Sequence, residues 1–82
     1  MYYFYILRCS DNSLYSGITN NLDKRLKEHN SIGTRGAKYT RAKKPVTLVY
    51  SEKHISKSSA LKREAGVKKW TKLQKEKLIV SG

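Results

Sequence analysis

Of the six acidic residues in this chain, Asp11, Asp23, Glu28, Glu52, Glu64 and Glu76, Glu64 is the one that solvation explains least. On a helix it has Ala60 and Leu61 one turn before it and Val67 one turn after, which sets a carboxylate at or beside a core-facing stripe. A carboxylate there is costly unless it is paired or holds a metal ion. Pairing with a neighbouring base at the rim would satisfy it, and so would a cation. The acids are scattered, with no Asp-x-Asp and no cluster, so the converging carboxylates of a two-metal nuclease are missing. One carboxylate with several waters still suffices for a single Mg2+. Arg25 and His29 share a helix face at i and i+4. A guanidinium held there can bind phosphoryl oxygens in pairs, or the two residues can edge an exposed amphipathic helix. Tyr5 and Tyr15 can be ordinary strand aromatics. As chemical groups they can orient water, but a phenol with a pKa near 10 is a poor base at neutral pH without a cation beside it.

The elements that must position these side chains follow from local pattern. Residues 2–9 (YYFYILRC) are rich in strand formers and apolar on both alternating faces, the pattern of a central strand covered on both sides. Residues 10–13 (SDNS) are turn chemistry, and residues 14–19 return as a second strand of a hairpin. The loop length decides where the tyrosines point. A two-residue loop, Asp11-Asn12, puts Tyr5 and Tyr15 on opposite faces. A three-residue loop over residues 11–13 sets Tyr15 opposite Cys9 and gives both tyrosines one face. Asn20 or Asn21 can cap a helix to about Asn30, with Leu22, Leu26 and His29 on one stripe. A short helix is expected around residues 37–42, stopped by Pro45, then a third strand over 46–50. Ser56 or Ser58 can cap a helix through Trp70, and Thr71-x-x-Gln74 fits a capping box for a last helix to about Val80. The order β-β-α-(α)-β-α-α predicts an α+β domain, a three-stranded antiparallel sheet flanked by helices.

Charge points to the partner. The chain carries 18 Lys and Arg against the six acids, a net charge of +12 on 82 residues with a pI near 10.0. Residues 1–22 are neutral, with Arg8 against Asp11, so the whole excess lies in residues 23–82. It is densest in residues 33–44 (GTRGAKYTRAKK) and residues 57–77. Repulsion of this size argues for a polyanion, and the single-sign excess favours nucleic acid. The helices lack the broad apolar face of a membrane-surface helix, so no membrane partner is expected. The length fits one small domain over residues 1–82. One cysteine, Cys9, excludes an internal disulfide, and Cys9, His29 and His54 lack zinc-finger spacing. No apolar run approaches the roughly 20 residues of a membrane span, and the opening residues lack a signal-peptide pattern. A cytoplasmic protein is expected.

Together these residues resemble the GIY-YIG nuclease family, and in particular its small stand-alone, YhbQ-like bacterial members. Tyr3-Phe4-Tyr5 resembles the first signature triplet and Tyr15-Ser16-Gly17 the second, with ten residues from tyrosine to tyrosine. Ile18 to Leu22, Arg25-Leu26, His29-Asn30, the stretch from Gly36 to Arg41, and then Leu61, Glu64 and Lys68-Lys69 extend the likeness over nearly the whole chain. The resemblance implies a one-metal phosphodiesterase acting on DNA, with structured or repair-related substrates. Glu64 matches the ligand of a single divalent ion, Mg2+ or Mn2+. Tyr15 matches the general base or water-orienting group, and Tyr5 the tyrosine that helps position water and phosphate. Arg25 matches the phosphate-binding arginine, His29 an active-site histidine, and Gly17 a close-packing position. Converging tyrosines favour the three-residue loop. Arg35, Lys38, Arg41, Lys43, Lys44, Lys68 and Lys69 are the expected backbone grip on DNA, with RNA the other candidate.

Three positions depart from the family pattern. Tyr3 replaces the opening glycine, Ile18 stands where the excision-repair nuclease UvrC has a lysine, and Glu76 stands where larger members place a phosphate-contacting asparagine. With no second domain to choose a substrate, a protein partner is expected to supply specificity. The alternative function is a basic nucleic-acid-binding module with weak or lost catalysis.

Overall fold

The structure is a computed structural model and describes residues 1–30 and 45–81. Three strands form one antiparallel sheet in the order β2-β1-β3, with β1 Tyr2–Arg8, β2 Leu14–Thr19 and β3 Thr47–His54. Helix α1 spans Leu22–Asn30, α2 Lys57–Lys68 and α3 Lys72–Ser81. The expected α+β architecture is therefore present. The additional helix expected around residues 37–42 lies outside the described residues.

β1 is the central strand, and its alternating apolar faces open two cores. Tyr5, Leu7 and Cys9 pack with Val46 on one face, joined by Tyr15, Leu22, Leu26 and Leu48. Phe4 and Ile6 pack with Val67 of α2 on the other, joined by Trp70 from the corner after α2 and by Leu78 and Ile79 from α3. Each fully buried Phe, Ile or Leu side chain contributes roughly 1.5–3 kcal/mol, so a strand buried on both sides supplies much of the stability of so short a chain.

The hairpin loop also has three residues, but one register step earlier than expected. The Asn12 amide donates to the Cys9 carbonyl at 2.9 Å and the Cys9 amide to the Ser13 carbonyl at 2.8 Å. Asn12 takes the left-handed conformation, φ 71°, the usual close of a three-residue hairpin loop. The loop is thus residues 10–12, held by Asp11, whose carboxylate accepts from the Ser13 amide and hydroxyl. Tyr15 consequently pairs with Leu7 rather than Cys9, and Tyr5 pairs with Gly17. A shift of two in the pairing preserves parity, so both tyrosines still share one face.

β3 runs four residues past the expected end at Tyr50. Ser51, Glu52, Lys53 and His54 have little intrinsic strand preference, and tertiary contacts override it. The Glu52 carboxylate accepts from the Tyr50 hydroxyl at 2.7 Å, His54 Nε2 at 3.1 Å and Arg63 Nε at 2.8 Å. Burial alone would raise the Glu52 pKa, but these three donors outweigh it and hold the carboxyl below its usual value. The cluster ties β3 to α2, and His54 Nδ1 completes it at 2.7 Å from Ser59 Oγ. A bulge between Ile6 and Leu7 inserts Val49 into β3, placing Leu48 and Tyr50 on opposite faces.

The helix starts follow the local signals. Asn21 Oδ1 accepts from the Lys24 amide, and Ser56 Oγ from the Ser59 amide. α2 ends at Lys68, two residues short of Trp70, where the Lys69 amide closes back on Gly66 and Val67. The capping box at α3 is reciprocal, with the Thr71 amide on Gln74 Oε1 at 2.9 Å and the Gln74 amide on Thr71 Oγ1 at 3.2 Å. α3 is then clamped to the hairpin by a bidentate pair from Arg8 to Glu76, at 2.6 and 2.8 Å.

The Arg8 pair, with Lys72 adding to it, holds the Glu76 carboxyl at a pKa of about 2. Because this value is depressed in the folded chain, the stabilisation is present above the ordinary carboxylate range and is lost as pH falls through about 2. Arg8→Gln is therefore expected to lower Tm at pH 7. Thermal unfolding of both proteins from pH 5 to pH 2 should show that difference shrinking steadily. A constant difference across that range would refute the clamp.

Candidate active site

Four elements bring the five candidate side chains together around one hydroxyl. Tyr5 comes from β1, Tyr15 from β2, Arg25 and His29 from α1, and Glu64 from α2. The Tyr5 ring is 2% exposed and lies across β2, made possible by its pairing with Gly17. A Cβ added at Gly17 would sit 2.7 Å from the Tyr5 hydroxyl oxygen and 2.9 Å from Cζ. Only glycine leaves the phenol where it is, so the close-packing role expected of Gly17 has a specific object.

The buried hydroxyl needs a partner, since an unsatisfied one costs roughly 1–3 kcal/mol. His29 Nε2 supplies it at 3.2 Å. His29 is itself 1% exposed, so it is a core histidine rather than part of an exposed helix edge. It also meets the Tyr15 ring edge to face, with centroids 5.2 Å apart, which fixes the second tyrosine beside the first. Burial first, and then the nearby Arg25 charge, lowers the His29 pKa below its ordinary value of 6.5, with Glu28 opposing. At neutral pH the ring is uncharged and retains one acceptor nitrogen.

Burial likewise raises the Tyr5 pKa above 10.0. Arg25 beside it pulls the value down, while Tyr15 and the Glu64 charge push it up. The net effect is that Tyr5 keeps its proton at neutral pH. It is a hydrogen-bonding group there, not a standing phenolate. Arg25 reaches Glu28 only loosely, Nη1 to Oε1 at 3.4 Å. Its Nε is buried and has no hydrogen-bond partner among the described residues. An orphaned guanidinium donor of this kind is expected where an anionic acceptor binds.

Glu64 lies at the rim of the α2 core stripe, between buried Ala60 and Val67, while Leu61 is 43% exposed. Its carboxylate is mostly covered, and its pair with the exposed Lys68 is long, 3.8 Å. Among the described residues no group of three or more His, Cys, Asp or Glu converges. The donor set therefore fits an ion held by one carboxylate and water, as Mg2+ and Mn2+ accept, and does not fit an all-protein cage.

Lys68 closes α2 and Lys69 caps it, both exposed at the corner leading to α3. Arg35, Lys38, Arg41, Lys43 and Lys44 lie outside the described residues. Two further charges read differently once placed. Glu76 does not stand as a bare acid facing phosphate, because Arg8 and Lys72 cancel it. Arg63, unremarkable in sequence, is fixed by Glu52 and lies 5.4 Å over the Trp70 ring. Neither pairing has a sequence signal, since Arg8 and Glu76 are 68 residues apart.

A family model described as the GIY-YIG catalytic domain matches residues 1–77. A UPF0213 protein of Syntrophus aciditrophicus is 54% identical over 77 residues, covering 94% of this chain and 87% of that protein. A UPF0213 protein of Clostridium perfringens is 54% identical over 81 residues, covering 99% and 85%. Two solution NMR structures share the fold. A protein of E. faecalis superposes with TM-score 0.66 at 49% identity, covering 98% of this chain and 83% of that one. A UPF0213 protein of Bacillus halodurans gives 0.62 at 42% identity, covering 98% and 84%.

Gly17→Ala is expected to displace the Tyr5 hydroxyl from His29, with an overpacking cost of about 1–3 kcal/mol. Chemical denaturation gives the cost, and the imidazole nitrogen NMR shifts of His29 give the displacement. A folded Gly17→Ala protein with unchanged His29 shifts would show that the close approach does not position the phenol.

Proposed function

The chain belongs to the GIY-YIG family, a nuclease family, and from that membership we propose that it is a metal-dependent endonuclease that hydrolyses phosphodiester bonds in DNA. The observation that carries this reading is the buried Nε of Arg25, without a hydrogen-bond partner among the described residues, beside the Tyr5–His29 pair. The site offers a donor to an anion at the point where phenol and imidazole can handle a proton. The excess of positive charge in residues 23–82 supports a polyanionic substrate.

In this reading Arg25 binds the phosphoryl oxygens on which negative charge builds during hydrolysis. Tyr15 orients the attacking water. The water oxygen bonds to phosphorus as the bond to the ester oxygen breaks, and the departing alkoxide takes up a proton from solvent. The proton that the water gives up passes to the Tyr5 oxygen while the Tyr5 proton moves to His29 Nε2. The neutral imidazole suits that acceptance, and the Tyr5 phenol need never ionise first. Glu64 would hold the Mg2+ or Mn2+ ion, which when bound supplies positive charge against the leaving oxygen. Gly17 keeps the Tyr5 ring in place, and Lys68 and Lys69 grip the backbone without reading bases.

Glu64→Ala and Arg25→Ala are each expected to reduce Mn2+-dependent nicking by on the order of a hundredfold or more, with circular dichroism and Tm close to wild type. Because His29 acts as the neutral acceptor, wild-type activity should fall as pH drops, with its acid limb below the ordinary histidine value of 6.5. A panel of linear, flapped and branched DNA with and without Mn2+ reads all of this. Undiminished cleavage by Glu64→Ala would remove the metal assignment. Steeply salt-dependent binding without nicking of any substrate would replace the enzyme by a binding module.

A further inference from the structure

Away from the tyrosines, the corner between α2 and α3 holds a groove of about 480 Å3 lined by Trp70, Gln74, Lys77, Leu78 and Ser81. This is within the size range of small-ligand clefts, roughly 300–1,000 Å3. Its apolar wall is an indole and a leucine, and its rim is polar. Trp70 is half-buried, with part of it packed into the core face that includes Phe4, Ile6 and Val67. The indole is also held in place. Arg63 lies over it at 5.4 Å, and the Arg63 guanidinium is itself fixed by Glu52 at 2.8 Å. A pre-positioned aromatic ring loses little freedom when something stacks on it. Lys77, on the rim, is exposed and makes no ion pair among the described residues.

We propose that this groove binds an unpaired nucleobase of a DNA strand, stacked on Trp70 with its phosphate near Lys77. The chemistry favours this occupant over an apolar peptide. An aromatic platform beside an unpaired lysine is how proteins hold single strands without reading sequence, and the surrounding chain carries +12. Residues 57–77, which include the groove's aromatic and its lysine, hold eight bases against two acids. The inference rests on the nuclease reading and narrows its substrate class. Trp70 lies six residues beyond Glu64 and just past the end of α2, with Lys68 and Lys69 between them in sequence. A strand engaged at both places must be unpaired near the cut, as at a flap, a bubble or a frayed end.

The test uses the single tryptophan as its own reporter. Wild-type protein in EDTA is titrated with a 12-nucleotide thymidine strand, with an abasic strand of equal length and charge, and with a blunt duplex. The thymidine strand should quench Trp70 fluorescence and bind about tenfold more tightly than the abasic strand. The abasic strand and the duplex should bind through charge alone and leave the emission unchanged. Trp70→Phe should retain most of the preference for thymidine over abasic strand, and Lys77→Glu should weaken binding of both strands together. Equal quenching by the thymidine and abasic strands overturns the proposal, as does binding of both without quenching. So does a change of Trp70 emission with protein concentration alone, which would assign the groove to a second copy of the chain. Nicking of duplex DNA in Mn2+ is scored separately. Nicking without base-dependent quenching sinks the groove and leaves the nuclease reading standing, whereas base-dependent quenching with no nicking of any substrate does the reverse.

Discussion

The site depends on one buried hydroxyl. Tyr5 sits on the central strand, where its ring fills a core and its oxygen needs a hydrogen-bond partner away from water. That need selects the rest. The residue across the strand must be glycine, because any Cβ would collide with the phenol. Helix α1 must present a side chain that accepts or donates, and His29 does so while packing as a buried ring. The same ring holds Tyr15 by edge-to-face contact. Hydrogen bonding and packing therefore place three of the candidate groups at once, and Arg25, one turn before His29, is carried with them.

Charge is divided between holding the fold together and what remains for a partner. Glu52 and Glu76 are each neutralised by well-placed cations, Arg63 in one case and Arg8 with Lys72 in the other, and His54 Nε2 adds a hydrogen bond to Glu52. Both join a helix to the sheet. Among the described residues Glu64 has only a long contact to an exposed lysine. Most of the lysines are not tied to acids in the described residues, so their mutual repulsion favours association with anions.

Much of this was legible in the residues. The doubly apolar pattern of residues 2–9 identified the central strand, and the paired cap candidates, from which the structure selects Asn21 and Ser56, together with the Thr71–Gln74 box, marked the helix starts. Local chemistry decides those features, so local reading finds them. The turn was harder. Residues 10–13 are all turn formers, and only the left-handed Asn12 selects the register. The extension of β3 was hidden because a distant arginine makes Glu52 acceptable in a strand. Glu64 and the Arg25–His29 spacing stood out on chemical grounds. The contact between Tyr5 and His29 did not, since helical periodicity places a residue on a face without saying what lies opposite.

The order of the strands has a consequence for how the chain is made. β1 ends at Arg8, while β3, which covers one of its two edges, begins at Thr47. As the ribosome delivers the chain, β1 meets β2 almost at once and then waits for its other neighbour. Until that neighbour arrives, the most apolar segment of the protein is an open edge able to pair with another nascent chain. The closure is also the least local pairing in the sheet, which makes it the natural slow step of folding. The chain's net charge of +12 then has a use before folding is complete, keeping half-made chains apart.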